Sequence, residues 1–196
     1  MPGAVKLAGV DDAGAIGAIL GAGFEDDPVL SWVFRAPHTR EKLQAMFTFL
    51  VRERFIPPAT TYLVDGAAIA WLPPDRELGS GDEGMGVRFA EAMVLATADD
   101  FARLAEMGEA TRAAHPTETH WYLAAIATLP ERRAQGLGTT LLRHTLAPVD
   151  ASGIPAYLES SNPRNITLYE RHGFEVAGRI DIDLDDGVFM TPMWRR

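Results

Sequence analysis

The stretch Ile126-Ala127-Thr128-Leu129-Pro130-Glu131-Arg132-Arg133-Ala134-Gln135-Gly136-Leu137-Gly138 constrains this chain more than any other. An apolar, strand-like segment from His120 to Thr128 leads into it. A helical pattern with Leu137, Leu141, Leu142, Leu146 and Val149 on one face leads out. Strand, short loop, two glycines and helix together set free backbone N–H groups at a helix start, where the dipole also favours an anion. The glycines let the backbone approach a bulky phosphate with no Cβ in the way. The glycines alone allow either an ordinary strand-to-helix turn or a pyrophosphate cradle. Two nucleotide patterns fail here. The dinucleotide fingerprint wants a third glycine near Leu141, and the phosphate loop wants a Gly-Lys-Ser/Thr run that the chain lacks.

A different pattern does fit. Arg133, Gly136 and Gly138 form Arg-x-x-Gly-x-Gly, which resembles the acetyl-CoA signature of the GCN5-related N-acetyltransferase superfamily. Downstream, Asn162-Pro-Arg-Asn165-Ile-Thr-Leu-Tyr169-Glu-Arg-His-Gly173-Phe174 resembles that superfamily's Asn-x-x-Ala-x-x-x-Tyr-x-x-x-Gly-Phe box. Two motifs in this order and spacing, each on a suitable element, weigh more than either alone. Phe24-Glu-Asp-Asp-Pro, His120-Trp-Tyr-Leu and the run from Leu158 to Asn165 further resemble a branch that includes puromycin N-acetyltransferase and uncharacterised actinobacterial relatives.

The chain has 196 residues, enough for one domain (1–196) with a real core. A net charge of -9 argues against a nucleic-acid partner, which would want a basic face. A local cradle can still be positive on an acidic protein. Cysteine is absent, which removes disulfides, thiolate metal sites and a thiol nucleophile. The N-terminus lacks a secretory signal pattern, and the apolar segment from Ala13 to Phe24 is too short for a membrane span. A soluble, cytoplasmic protein, monomeric or homodimeric, is expected.

Along the chain, Ala4 to Ala8 reads as a strand, and Asp11 or Asp12 as the cap of a helix carrying Ile16, Ile19 and Leu20. Gly14, Gly17, Gly21 and Gly23 in that helix point to close packing or a flexible edge. Asp27-Pro28 marks a turn among aromatics that either pack in the core or wall an acceptor pocket. Thr39 to Phe55 reads as a helix. Asp65-Gly66 joins the strands Thr61 to Val64 and Ala67 to Leu72 as a hairpin. Asp75 to Gly86 reads as a loop, followed by helices from Val87 to Leu95 and, capped by Thr97, from Asp99 to Ala114. Pro148 should kink or end the helix begun at Gly136, and Gly153 is a plausible stop. A strand from Ile154 to Ser160, a helix from Asn162 to His172, and strands from Glu175 to Leu184 and Val188 to Trp194 complete the order.

That order resembles the superfamily's α+β fold, an α/β/α sandwich around a mixed, mostly antiparallel seven-stranded sheet. The resemblance also marks Asp75 to Ala114 as an insertion over the acceptor side. It implies direct transfer of an acetyl group from acetyl-CoA to a small-molecule primary amine. By that analogy, backbone groups of Ile126 and Thr128 hold the pantetheine arm. Gly136, Leu137, Gly138 and Thr139 hold the pyrophosphate, with Arg133 and Gln135 at the loop start, and Asn162 reaches the cofactor arm. Asn165 stands where the box usually has alanine. Tyr169 becomes the general acid, since an ordinary phenol stays protonated at neutral pH. The strand before the cradle carries no carboxylate, so Glu159 on the next strand is the first choice of general base. His120 or an ordered water are the alternatives. Phe24, Asp27, Trp32 and His120 are candidate acceptor contacts. His38, His115, His120, His144 and His172 lack metal-ligand spacing and read as scattered surface residues, so no metal site is expected. Two other functions compete: a CoA-binding sensor that lost catalysis, and an acetyltransferase of protein lysines or N-termini.

Overall fold

The structure, a computed structural model, describes residues 3–76 and 82–196. The Asp65-Gly66 turn takes positive φ at both residues, 41° and 85°, and joins β2 (Thr61–Val64) to β3 (Ala67–Leu72) as its sequence requires. Every residue of β3 is buried, because helices cover both faces of the sheet at this strand. The remaining strands are β1 (Lys6–Leu7), β4 (Trp121–Thr128), β5 (Ala156–Ser160), β6 (Glu175–Val176), β7 (Ile180–Asp183) and β8 (Val188–Arg195). Their spatial order is β1-β2-β3-β4-β5-β8-β6, with β7 also on β8. Only β4 and β5 run parallel among the described residues.

The helices divide between the two faces. One core packs α1 (Ala13–Gly23), α2 (Pro28–Val33) and α3 (Thr39–Leu50) against Ala68, Ala70, Leu72 and Ala125 of the sheet. The other packs α6 (Leu137–Ala151) and α7 (Ile166–Glu170) against Ile69, Trp71, Leu123 and Leu158. The apolar stripe read from Leu137 to Val149 is the buried face of α6. The glycines of α1 serve close packing. A Cβ on Gly17 would meet the Thr48 hydroxyl at 2.0 Å, and one on Gly21 would meet the Gln44 backbone at 2.8 Å.

Several expectations need correction. The sheet has eight strands, not seven, because Ala177-Gly178-Arg179 divides the expected strand Glu175 to Leu184 into β6 and β7. Asp27-Pro28 opens the six-residue α2: Asp27 caps it and Pro28 takes the first helical position, where a missing N–H costs nothing. The helix expected to reach Phe55 changes to a π turn over Val51–Phe55. Pro148 neither ends α6 nor stops it short. It lies one turn from the end, where the chain closes through Ser152 N–H to the Pro148 and Val149 carbonyls. Asp12 caps α1 with no side-chain bond; its carboxylate goes to Gly9 N–H and Lys6.

The expected loop Asp75 to Gly86 ends in α4 (Met85–Ala92), and its residues 77–81 lie outside the described residues. α5 (Ala98–Ala114) begins with a capping box between Thr97 and Asp100, as expected of Thr97. No helix among the described residues is long and apolar enough to cross a membrane.

Candidate active site

β4 carries one residue more than β3: Ala70 pairs with Ala125 and Trp71 with Leu123, so Ala124 is left over as a bulge. A bulge bends its strand. β4 pairs with β5 only at Trp121–Ala156 and Tyr122–Tyr157; beyond those residues the strands part. The wedge between them is the candidate site, and the loop after β4 closes one end of it.

That loop gives the geometry expected of an anion cradle. Ala134 and Gly136 take positive φ, 61° and 77°, and turn the chain into α6. The N–H groups of Gly136, Leu137, Gly138 and Thr139 donate to no acceptor among the described residues; the first α6 bond is Thr140 N–H to Gly136 O, at 2.9 Å. These four donors face a cleft of about 680 Å³ walled by Gly23, Ile126, Thr128, Arg133, Asn162 and Tyr169, among others. A Cβ on Gly138 would meet Leu168 at 3.8 Å, an ordinary contact. The fold therefore tolerates a methyl there, while a ligand drawn against the backbone does not. Gly138→Ala should leave the melting temperature nearly unchanged and weaken CoA binding by about tenfold or more, read by calorimetric titration.

A second cavity of about 380 Å³ adjoins the cleft on the acceptor side. α4 and α5, the segment expected to lie over the acceptor side, supply Phe89, Leu104, Met107 and Thr111 to its wall. Phe24, Ile126, Asn165 and Tyr169 line both spaces. Tyr169 is thus at their junction. Its ring packs edge-on to Phe174, and burial together with the Asp27 charge pushes its phenol pKa well up.

Asp27, expected to contact the acceptor, lies in the wall of the first cleft and not in that of the second cavity. Its Oδ1 accepts the N–H groups of Val29 and Leu30, both at 3.1 Å, and its Oδ2 accepts the Ser161 hydroxyl at 2.6 Å. It pins the start of α2 to the end of β5, and it lines the cleft. Burial raises its pKa despite those three bonds. A carboxyl raised in the folded state stabilises the fold most below its unfolded pKa and loses that contribution as pH rises through the folded value. The stability of the wild type relative to Asp27→Asn should therefore decline from about pH 4 upward, measured by urea unfolding at several pH values.

Glu159 lies in the wall of the acceptor cavity with its side chain only 1% exposed. Tyr122 donates its hydroxyl to Oε2 at 2.6 Å, and His115 Nδ1 meets Oε1 at 3.1 Å. Burial and the Glu159 charge push the Tyr122 phenol well up, which keeps it a donor. The buried Tyr157 hydroxyl has no hydrogen-bond partner of good geometry, yet Glu159 is close enough, after burial, to raise its pKa as well. His115 was expected on the surface; it is instead half-buried among His120, Tyr122 and Tyr157. Neither His115 nor Tyr122 was singled out from the sequence. The apolar strand flanking Tyr122 and the helix-ending His115-Pro116 gave no sign of a shared carboxylate 37 and 44 residues away.

Other candidates lie apart. Trp32 is a core residue: it is 7% exposed, its Nε1 donates to Asp183 of β7 at 3.2 Å, and it lines neither cavity. His120 also lines neither; its Nδ1 bonds the Glu118 carbonyl at 2.6 Å and burial lowers its pKa. Gln135 turns back to the Glu131 carbonyl at 3.4 Å and is not in the cleft wall. Arg133 is in that wall, but its guanidinium forks onto Asp26 at 2.9 and 3.0 Å and onto the Gly23 carbonyl. Asn162 is in the wall too, its Oδ1 capping the next turn through Arg164 N–H at 3.1 Å.

A parted strand pair, a helix start with free backbone donors and an adjoining apolar cavity are the arrangement expected of an N-acetyltransferase. The model for the acetyltransferase (GNAT) family matches residues 67–174, more than half the chain, and the chain belongs to that family. Among solved structures, it is similar to a histone acetyltransferase HPA2 and related acetyltransferase from Corynebacterium glutamicum, at 26% identity and a TM-score of 0.72 over 100% of this chain and 96% of that one. The C-terminal condensation domain of Ebony, in complex with beta-alanyl-dopamine, shares the fold at 10% identity and a TM-score of 0.67, covering 100% and 99%. An agmatine N-acetyltransferase variant in its apo form does so at 12% and 0.61, covering 97% of each chain.

Proposed function

We propose that this enzyme moves an acetyl group from acetyl-CoA directly onto a primary amine of a small molecule. The observation that carries the reading is the meeting of cleft and apolar cavity at a single phenol, Tyr169. The cradle fits a diphosphate: four backbone donors at a helix start, with positive φ at the glycine before it. Ile126, Thr128 and Asn162 would hold the rest of the cofactor along the parted strands. When bound, acetyl-CoA supplies an activated acyl group as a thioester. With no cysteine in the chain, no thiol of the protein carries that group in between.

Tyr169 then protonates the departing sulfur; its raised pKa keeps that proton on the phenol at neutral pH. Glu159 takes the ammonium proton, directly or through water. Each of its oxygens accepts one protein hydrogen bond, and each keeps a lone pair for the amine. The cavity walls orient the amine toward the junction, and positioning of this kind is worth about 7–11 kcal/mol in favourable cases. A second reading, a CoA-binding sensor, draws on the same two bonds, since Tyr122 and His115 also suit a purely structural Glu159. An open peptide groove fits less well, because α4 and α5 wall the acceptor side.

Thiol release from acetyl-CoA across a panel of amines separates these. An enzyme releases CoA with at least one small amine; a sensor binds the cofactor and releases none. Glu159→Gln should lower kcat about 100-fold, with CoA affinity kept.

A further inference from the structure

We infer that the acceptor is a monoamine with an apolar body, and that a second cationic group on it is selected against. This deepens the transferase reading and rests on it. The acceptor cavity, about 380 Å³, is walled by Phe24, Phe47, Phe55, Phe89, Leu104 and Met107 among others. Phe24 stacks on Phe47 at 5.1 Å, and Phe89 packs edge-on against Phe101 behind it, so the aromatic wall is already ordered before a ligand enters. Methionines 46, 107 and 190 let such a wall adapt to the outline of an apolar guest.

The charges in the wall decide the rest. Among its described residues there is one carboxylate, Glu159, buried and oriented by Tyr122 and His115. It provides for one ammonium group. Arg112 adds a cation to the wall. Asp27, the other buried carboxylate nearby, opens on the cofactor cleft and already accepts three hydrogen bonds. A diamine or guanidino-amine that fills the cavity therefore brings its second positive charge among phenyl rings and toward Arg112. Leaving a cation desolvated without a partner carries a large penalty, whereas a methyl or phenyl group at the same position gains from burial.

The experiment pairs amines of one length and differing charge. Hexylamine is set against hexamethylenediamine, and phenethylamine against its para-aminomethyl derivative. Each is assayed by CoA release and by direct binding to the CoA-loaded protein. The monoamines should exceed their dicationic partners by about 100-fold or more in kcat/KM and in affinity. Arg112, on the exposed rim of α5, offers a gain-of-function arm. Arg112→Glu adds a second carboxylate to the wall and should narrow the preference at least tenfold. Diamines turned over or bound as well as monoamines would overturn the inference, as would a failure of both series to bind. Selective binding of monoamines without CoA release would keep the class of ligand and overturn the transferase reading instead.

Discussion

Replacing Tyr169 with phenylalanine should lower kcat by about 100- to 10,000-fold while leaving the affinity for CoA and the melting temperature nearly unchanged. The stability half of this result follows from where the hydroxyl sits. Tyr169 is 6% exposed, and its ring is packed against Phe174 at 6.1 Å between centroids. Phenylalanine keeps those contacts. The hydroxyl donates to no acceptor among the described residues, so its removal leaves no protein group unsatisfied. The catalytic half follows from the junction of the two cavities. In the proposed reaction the departing thiolate takes up a proton to leave as free CoA, and Tyr169 is the phenol that faces both spaces. Its raised pKa keeps the proton in place through neutral and mildly alkaline pH. The wild-type rate should therefore show no loss of this acid below about pH 10. Stopped assays of CoA release, with CoA affinity measured separately, test both halves. Wild-type turnover in the variant would remove Tyr169 from the reaction.

The parts of this arrangement that the sequence carries are those written into short runs. The Asp65-Gly66 turn, the β3 run and the two glycines at the start of α6 act through their own φ angles and neighbours, so residue type alone locates them. Other features depend on a partner far along the chain. Glu159 is oriented by Tyr122 on the neighbouring strand and by His115 at the end of α5, a meeting created by the crossover through α6. Trp32 and Asp27 stand five residues apart in an aromatic run that reads as one pocket wall. Five residues leave them about 140° apart around a helix, enough to turn Trp32 toward Asp183 of β7 while Asp27 stays in the cleft. Asp27-Pro28 reads as a turn in the sequence and is a helix start in the structure, because the six residues that follow Asp27 in α2 are too few to display a period. Arg133 shows a further limit. Its motif position fits an anion, yet Asp26 holds the guanidinium, a competition between two charges that sequence spacing does not rank.

The largest expected loss of stability lies away from the reacting groups, in the insertion that walls the acceptor cavity. Lys42 of α3 and Asp100 of α5 form an ion pair of 2.9 Å, with side chains only 4% and 2% exposed. Lys42 also donates to the Arg35 carbonyl at 3.0 Å, and Asp100 accepts Arg103 at 3.0 Å while closing the capping box of α5. Burial by itself would raise the Asp100 carboxyl, but hydrogen bonds from Lys42 and Thr97 outweigh it and hold the pKa below the usual value. Lys42→Met fills similar space and removes the cation. Asp100 is then buried with a charge that Arg103 alone must offset, and breaking such a pair costs about 3–5 kcal/mol. That is a large share of the about 5–15 kcal/mol by which domains are stable.

The pH dependence has a definite sign. In the wild type the depressed Asp100 contributes stability above its unfolded pKa, and that contribution is lost as pH falls through the folded value. In Lys42→Met the carboxyl has lost the partner that depressed it. The gap between the two proteins in urea unfolding should accordingly be widest near pH 7 and shrink toward pH 4. Adding Asp100→Asn to Lys42→Met should recover part of the loss at pH 7, because the amide needs no counter-charge and can still accept at the capping box. The same pair bears on function: α5 carries Leu104, Met107 and Thr111 of the acceptor wall, whereas the anion cradle belongs to α6 on the other face of the sheet. Loosening this ion pair should therefore raise the KM for the amine at temperatures where CoA still binds with wild-type affinity.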